Sequence, residues 1–437
     1  MSISDLKLNP DYISRIHFVG IGGVGMSALA QYCVAEKKVV SGSDRTMSSL
    51  TNMLINGGIE VFEGHRAKNI TDDIDLVVYT EAVTRQNPEL KAAKNLNIPV
   101  ISYFEALGLF MNQYYLIAVA GTHGKTTTTA MLTEVFEAAG KDPTAIIGSP
   151  MIKTGTNYRY GKTKYAIVEA CEYRQNFLSL TPDVLVITNL EHEHVDCYKD
   201  LEAVQKAFKK LISQVHETGV VVTDTANKNI KPIISDCHVP VINYLDNFTV
   251  DLNLKQPGIH NKLNAAVALT VAKHEDLDED LVMGALSDFS GTKRRFEYMG
   301  KVNGALVYTD YAHHPSEIKV TIRAAKEFAP DKNIVAVFQP HTYSRTEVLF
   351  NDFAASLSGV DTVILLPIYS AREKNKKSVS SRELSVKTLE FVPNVRYMES
   401  PEEVIKKLRQ TLTAKDLLLV MGAGDVNKIA EAVIEAE

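Results

Sequence analysis

Residues 117–129 read IAVAGTHGKTTTT. Small apolar residues run into Gly121-Thr122-His123-Gly124-Lys125-Thr126, and a helix is predicted to follow over 127–139. A strand, a glycine-rich turn and a helix in this order form a phosphate cradle. The glycines let backbone N–H groups turn toward an anion. The helix aims its positive N-terminal end at the same place. Lys125 brings a charge for the outer phosphates, and Thr126 a hydroxyl for Mg2+. The general nucleotide loop has a glycine five positions ahead of its Gly-Lys pair, where this chain has Val119. Only the shortened form G-T-x-G-K-T remains. The competing reading is a strand-to-helix turn that happens to contain Gly-Lys-Thr; the order of strand, loop and helix favours the cradle.

A chain of 437 residues has room for about three domains. Its formal charge of −6 argues against a general nucleic-acid binder. No apolar run nears the roughly 20 residues needed to cross a bilayer, so no membrane insertion is expected. The opening MSISDLKLNPDYISRIHF lacks a charged-then-apolar signal pattern, and the four scattered cysteines suit a reducing compartment, so the expected location is cytoplasmic.

Ahead of the loop, residues 16–20 form a short apolar strand ending in Gly20-Ile21-Gly22-Gly23-Val24-Gly25, with a helix from about 26 to 36. Gly20, Gly22 and Gly25 fit G-x-G-x-x-G, and Asp44 stands about 20 positions on, where a dinucleotide fold holds a ribose hydroxyl. Taken alone this predicts NAD. The glycines state only that a backbone approaches a diphosphate, which a nucleotide-sugar also carries. Strands over 59–63, 76–80 and 99–102 alternate with helical stretches, as in a parallel sheet. His65, just past a strand end, is as readily structural as ligand-binding.

Beyond the loop, strands over 165–170 and 183–188 end at Glu169 and at Asn189-Leu190-Glu191-His192-Glu193-His194. Carboxylates and histidines at strand ends beside a phosphate loop suit a Mg2+ held between phosphates; a solvated acidic loop is the alternative. Asn261 and Asn264, at i and i+3 of a helix start, share a face that can read a base edge or simply cap the helix. Residues 291–296 (GTKRRF) form a basic connector and a plausible hinge. A third alternating unit carries polar clusters after its strands, at Asp310-Tyr311-Ala312-His313-His314 and at His341-Thr342-Tyr343-Ser344-Arg345. The fold expected is α/β with three domains, 1–108, 109–291 and 292–437: a Rossmann-like first, a central P-loop ATPase-type mixed sheet, and a Rossmann-like third.

The segments HFVGIGGVGMSALA (17–30), AGTHGKTTTT (120–129), EACEYRQNFL (169–178), TNLEHEHVD (188–196), HNKLNA (260–265), GTKRRFE (291–297), DYAHHPSE (310–317), FQPHTYSRT (338–346) and MGAGD (421–425) together resemble the Mur ligase family, in its alanine-adding branch. The resemblance spans nearly the whole chain in family order. It implies ATP-dependent ligation of L-alanine to the carboxylate of UDP-N-acetylmuramate, through an acyl phosphate, in peptidoglycan precursor synthesis. ATP and Mg2+ would be the cofactors, with no nucleic-acid partner, and the enzyme a monomer or weak homodimer in the bacterial cytoplasm. The runner-up is a recycling ligase that attaches a preformed tripeptide to the same sugar.

Carried over residue by residue, Gly121, Thr122, His123, Gly124, Lys125, Thr126 and Thr127 would cradle ATP. Asn261, Asn264, Arg295 and Asp310 would complete its site. Thr126, Glu169 and His194 would hold metal. Gly22, Gly23, Gly25, Asp44, His65 and Thr80 would take the UDP-sugar. Tyr311, His341 and Arg345 would take the amino acid, and Lys125, Glu169, His194 and Arg345 would be catalytic. Thr342 stands where many members have arginine, which shifts the grip on alanine toward Arg345. Lys209 has the spacing from His194 at which sister ligases carry a carbamylated lysine, a device the alanine-adding branch generally lacks.

Overall fold

The computed structural model describes residues 8–193, 197–249, 252–371, 373 and 378–434. Three sheets organise them. The first comprises β1 (Arg15–Val19), β2 (Val39–Asp44), β3 (Glu60–Glu63), β4 (Leu76–Tyr79) and β5 (Val100–Ser102), ordered β3-β2-β1-β4-β5 and parallel throughout. Each return path is a crossover, as parallel pairing demands. The helix Val24–Ala35 makes the first one, and β1 at the centre is buried from Ile16 onward.

The second sheet contains β6 (Tyr115–Ala120), β7 (Thr144–Ile146), β8 (Tyr158–Arg159), β9 (Tyr165–Glu169), β10 (Val184–Ile187), β11 (Val220–Thr223) and β12 (Val241–Asn243), ordered β12-β11-β10-β6-β9-β7-β8. Only β8 runs antiparallel to its neighbour, so the sheet is mixed. Strand β6 lies between β10 and β9, with Leu116 to Ala120 fully buried. It feeds the helix Lys125–Ala138, in which every residue from Thr126 to Phe136 is buried. A threonine-rich helix can be this deeply buried because its hydroxyls bond back one turn: Thr129 Oγ1 donates to Lys125 O at 2.8 Å, and Thr133 Oγ1 to Thr129 O at 2.8 Å.

The third sheet comprises β13 (Glu297–Val302), β14 (Ala305–Asp310), β15 (Asn333–Phe338), β16 (Thr362–Leu365), β17 (Asn394–Tyr397) and β18 (Asp416–Met421), ordered β13-β14-β18-β15-β16-β17 with β13 antiparallel. Apolar cores cover both faces, one around Phe338, Phe353 and Leu417, the other around Val337, Leu418 and Ile429.

The chain packs as two compact units. The first (Met1–Glu193, Asp200–Asn247, Ala265–Leu286) holds the first two sheets, and the second (residues 194–199, Phe248–Asn264, Ser287–Glu437) holds the third. Within the first unit the two sheets are tied together. Gly108, in the helix Tyr103–Met111, lies so close to Ser179 that a Cβ would collide with its carbonyl, and Ser179 Oγ donates to Phe104 O at 2.7 Å. Asn157 Nδ2 reaches Val24 O at 3.0 Å. Each sheet falls within one of the segments 1–108, 109–291 and 292–437, which we propose as the domains.

Candidate active site

The loop after β6 is built on two left-handed glycines, Gly121 at φ +129° and Gly124 at φ +82°. Gly124 caps the helix without a side chain, so the helix begins at Lys125, two residues earlier than the sequence suggested. The free N–H groups of its first turn therefore face the loop. The segment after β10 clamps the loop from behind. Asn189 Oδ1 accepts from His123 N at 2.9 Å, Asn189 Nδ2 donates to His123 O at 3.0 Å, and Thr188 Oγ1 donates to His123 O at 2.6 Å. Thr122 Oγ1 accepts from Glu191 N at 2.8 Å, and His123 Nε2 lies 3.5 Å from Glu191 Oε2.

Lys125 Nζ donates to Gly121 O at 2.5 Å and Thr122 O at 3.0 Å, and meets both oxygens of buried Glu172, at 3.1 and 3.0 Å. Burial opposes its charge, but the surrounding acids, Glu172 foremost, hold the ammonium well above the usual lysine range. Glu169 ends β9 directly beside Val119 of β6, on the edge where the loop begins. Its Oε2 accepts from Gly148 N at 2.9 Å. Thr126 and Thr127 are buried at the start of the helix. His194 lies outside the described residues. Lys209 sits on the surface, paired with Asp236 at 3.0 Å.

The glycine turn after β1 has the same logic. Gly20 adopts φ +84° against the Thr80 side chain. Gly22 N donates to Asp44 Oδ2 at 2.9 Å, so the acidic residue at the end of β2 ties down the turn itself. A Cβ on Gly25 would meet the Tyr103 ring at 2.6 Å, while Gly23, the N-cap of the next helix, is unhindered. His65 follows β3, and its Nδ1 lies 2.8 Å from Ser43 Oγ and 3.1 Å from buried Glu89. Gly22, Gly23, Gly25, Asp44, His65 and Thr80 thus stand at the C-terminal edge of one sheet, where open α/β folds hold ligands.

The second unit carries its own cluster. Asp310 ends β14 and accepts from Phe296 N and Ala312 N, each at 2.7 Å. Burial pushes its carboxyl up, against Arg295 and those N–H groups. The guanidinium carbons of Arg294 and Arg295 stand 4.8 and 5.2 Å from the centre of the Tyr311 ring. Arg294 also donates to Gly422 O at 2.5 Å and Gly424 O at 2.8 Å, so the basic connector read as a hinge is anchored to the loop after β18. His341 stacks on Tyr369 at 5.6 Å, and Arg345 Nη1 lies 3.3 Å from its Nδ1. Burial, then His313 and Arg345, push the His341 imidazole down to about 4. Thr342, at φ +66°, opens the helix Tyr343–Val348, and Glu373 accepts from Ser344 N at 3.0 Å and from the Ser344 hydroxyl.

Asn261 and Asn264 are buried near the start of the helix Ile259–His274, with Asn264 Nδ2 3.5 Å from Asn261 Oδ1. Asn261 Nδ2 donates to Pro257 O at 2.8 Å. Beside them, burial pushes the His260 imidazole down to about 4, with Glu327 opposing and Arg295 adding. Between about pH 6.5 and 4 the unfolded chain binds a proton at this histidine that the folded chain refuses. Stability is therefore expected to fall as pH drops through that window, and His260→Gln to flatten the slope, as read from urea unfolding midpoints at several pH values.

Sequence reasoning missed the supporting residues: Asn189 and Thr188 under the loop, Tyr369 and Glu373 around His341, and Glu89 behind His65. Of these only Asn189 and Thr188 sat inside a motif, TNLEHEHVD, and nothing local gave them a task.

Comparison with known proteins follows the same division. The Mur ligase family catalytic domain matches residues 15–115, the Mur ligase middle domain 119–247, and the Mur ligase glutamate ligase domain 294–424. The chain is 41% identical to UDP-N-acetylmuramate–L-alanine ligase of Agathobacter rectalis, covering 96% of this chain and 98% of that one. It is 39% identical to the enzyme of that name from Clostridium tetani over the full length of both. Among solved structures, the UDP-N-acetylmuramate-alanine ligase of Thermotoga maritima superposes with a TM-score of 0.81 at 28% identity, covering 96% of this chain and 98% of that one. A murein peptide ligase of Psychrobacter arcticus reaches 0.72 at 25% identity, covering 97% and 98%. Two compact units carrying three sheets, a clamped glycine loop between strand and helix, and full-length identity near 40% lead to one assignment: the chain belongs to the Mur ligase family.

Proposed function

We propose that the protein is an ATP-dependent ligase that joins L-alanine to the carboxylate of UDP-N-acetylmuramate, giving UDP-N-acetylmuramoyl-L-alanine, ADP and phosphate in peptidoglycan precursor synthesis. The observation that carries this reading is the loop 121–127 with a firmly protonated Lys125 and Glu169 on the adjoining strand, in a chain similar to alanine-adding ligases over its whole length.

The γ-phosphoryl group passes from ATP to an oxygen of the muramoyl carboxylate, and ADP leaves. The alanine amine attacks the carbonyl carbon and gives up a proton, and the tetrahedral adduct expels phosphate. Lys125 neutralises charge on the transferring group, in the positioning and electrostatic role phosphoryl transfer requires. A phosphate oxygen gives its ammonium an acceptor in place of the Gly121 and Thr122 carbonyls.

The donor set suits a hard cation: the Thr126 hydroxyl and the Glu169 carboxylate offer oxygen at the loop, with His194 as a further candidate. Mg2+ held there would neutralise phosphate charge and draw the carboxylate toward the phosphorus. Asn261 and Asn264 present amides for adenine, with Arg295 and Asp310 on the same unit. Arg345, beside His341, supplies the guanidinium that grips the amino acid's carboxylate, with Tyr311 on the same unit. Gly22, Gly23, Gly25, Asp44, His65 and Thr80 face the UDP-sugar.

Among the described residues no helix is long and apolar enough to cross a membrane. We place the enzyme in the bacterial cytoplasm as a monomer or weak homodimer acting on small molecules. Acceptor choice is tested by phosphate release with ATP, Mg2+ and UDP-N-acetylmuramate, offering L-alanine, other amino acids or an L-alanyl tripeptide. Release that follows L-alanine supports the reading. Release that follows only the tripeptide would instead make the protein a recycling ligase.

A further inference from the structure

Behind the glycine turn lies a buried polar group that the reaction scheme leaves without a task. Glu89 lies in the first turn of the helix Pro88–Asn95 and is fully buried. Its Oε2 takes Ser43 Oγ at 2.6 Å and His65 Nδ1 at 3.1 Å. Its Oε1 takes Asn69 Nδ2 at 2.6 Å and Arg66 N at 3.4 Å, with His17 Nε2 at 3.6 Å. Burial alone would raise this carboxyl, but the neighbouring His17 ring and hydrogen bonds from Ser43 and Asn69 together hold it below its ordinary value. The helix N-terminus favours the same charge. Glu89 is therefore an acceptor at every contact.

The placement of the hydrogens follows. A serine hydroxyl has one hydrogen, and the 2.6 Å contact with the carboxylate uses it. The 2.8 Å contact between Ser43 Oγ and His65 Nδ1 must then be donated by the ring. Nδ1 carries the hydrogen, and when the imidazole is neutral Nε2 is the acceptor. Among the described residues Nε2 has no hydrogen-bond partner. The ring stands on the sheet edge of the glycine turn: Gly64 N donates to Asp44 O at 2.6 Å, and Asp44 in turn holds Gly22.

We propose that Glu89 is a positioning residue for the UDP-sugar site: through Ser43 it fixes His65 in the Nδ1–H form, so that Nε2 meets a hydroxyl or imide N–H donor of the ligand as an acceptor. The ligand's identity rests on the function proposed above; the tautomer does not.

Glu89→Gln tests the relay because it nearly preserves shape and reverses one hydrogen. The glutamine oxygen stays with Asn69 and Arg66, its amide donates to Ser43, and Ser43 turns its own hydrogen onto His65 Nδ1. The ring is then forced into the Nε2–H form, a donor facing a donor. Imidazole 15N–1H correlation spectra, with His65 assigned through His65→Ala, should show the Nδ1–H form in the wild type and the Nε2–H form in Glu89→Gln. Calorimetric titration with UDP-N-acetylmuramate should show binding weakened about tenfold in Glu89→Gln, the scale of one lost hydrogen bond, with ATP binding unchanged. In a His65→Ala background Glu89→Gln should add no further loss. An Nε2–H ring in the wild type would overturn the proposal. So would an equal loss of affinity with and without His65, since Glu89 would then act on the fold and not through the ring. If the wild type binds no UDP-sugar, the proposed function fails, and the wild-type spectrum still decides how His65 is held.

Discussion

Lys125→Ala is expected to lower kcat by on the order of 10^3-fold while UDP-N-acetylmuramate binding stays within about twofold. The lysine is the only side-chain cation of the loop 121–127 that stays charged across the working pH range, and its acidic surroundings keep it so. The proposed sugar site is built on a different sheet, from the turn after β1 and the ends of β2 to β4, so its hydrogen bonds do not pass through Lys125. The same change takes the ammonium partner from Glu172, which is 3% exposed. Breaking a buried pair from one side costs about 3 kcal/mol or more, so the single variant should also melt earlier. Lys125→Ala combined with Glu172→Ala separates the two effects. Stability should return in the double variant and turnover should not. Recovery of turnover would show that Lys125 serves packing and not phosphoryl transfer. Steady-state kinetics, sugar titration and thermal unfolding of the three proteins decide the matter.

Gly121→Ala should be almost as damaging, through the backbone. The residue sits at φ +129°, a conformation that costs any L side chain about 1–3 kcal/mol. A Cβ there would run into Thr188 Oγ1, with Asn189 O and Thr188 N both at 3.0 Å. The loop cannot give way, because Thr188 and Asn189 hold it through the His123 carbonyl and N–H. The expected outcome is a loop pushed out of register, loss of the rise in melting temperature that a non-hydrolysable ATP analogue should give the wild type, and undetectable turnover. Adding Thr188→Ala removes the nearest collision but leaves the strained φ, so the melting temperature should recover only in part. An unaltered response to the analogue in Gly121→Ala would show that the loop does not bind phosphate in this conformation.

What could be read from the sequence was whatever is local. Apolar runs gave β1, β6, β9, β10, β14, β15 and β18, and the glycine turns after β1 and β6 marked the sheet edges we propose as ligand sites. Short or half-exposed strands escaped. β7 and β8 are three and two residues long, too short for any period to show. β13 is half exposed, and the Asn-Gly turn that joins it to β14, Asn303 and Gly304 at φ +49° and +77°, went unread. The helix at Lys125 starts early because Gly124 leaves the strand path at once, which no propensity records.

Long-range side-chain partnerships were hidden for a different reason. Lys125 and Glu172 are 47 positions apart, and Ser43 and Glu89 are 46 apart. Only the parallel crossovers bring such residues to one edge, so a motif shows the charged tip of a site and not the groups that hold it.

The account turns on one event, transfer of the γ-phosphoryl group to the muramoyl carboxylate. UDP-N-acetylmuramate labelled with 18O in both carboxylate oxygens, incubated with the enzyme, ATP, Mg2+ and L-alanine, reports it directly by mass spectrometry of the released phosphate. An acyl phosphate requires one labelled oxygen to leave with each phosphate and the other to remain in the amide product. Phosphate released without label would contradict the account, because the carboxylate would then not have been activated by phosphorylation.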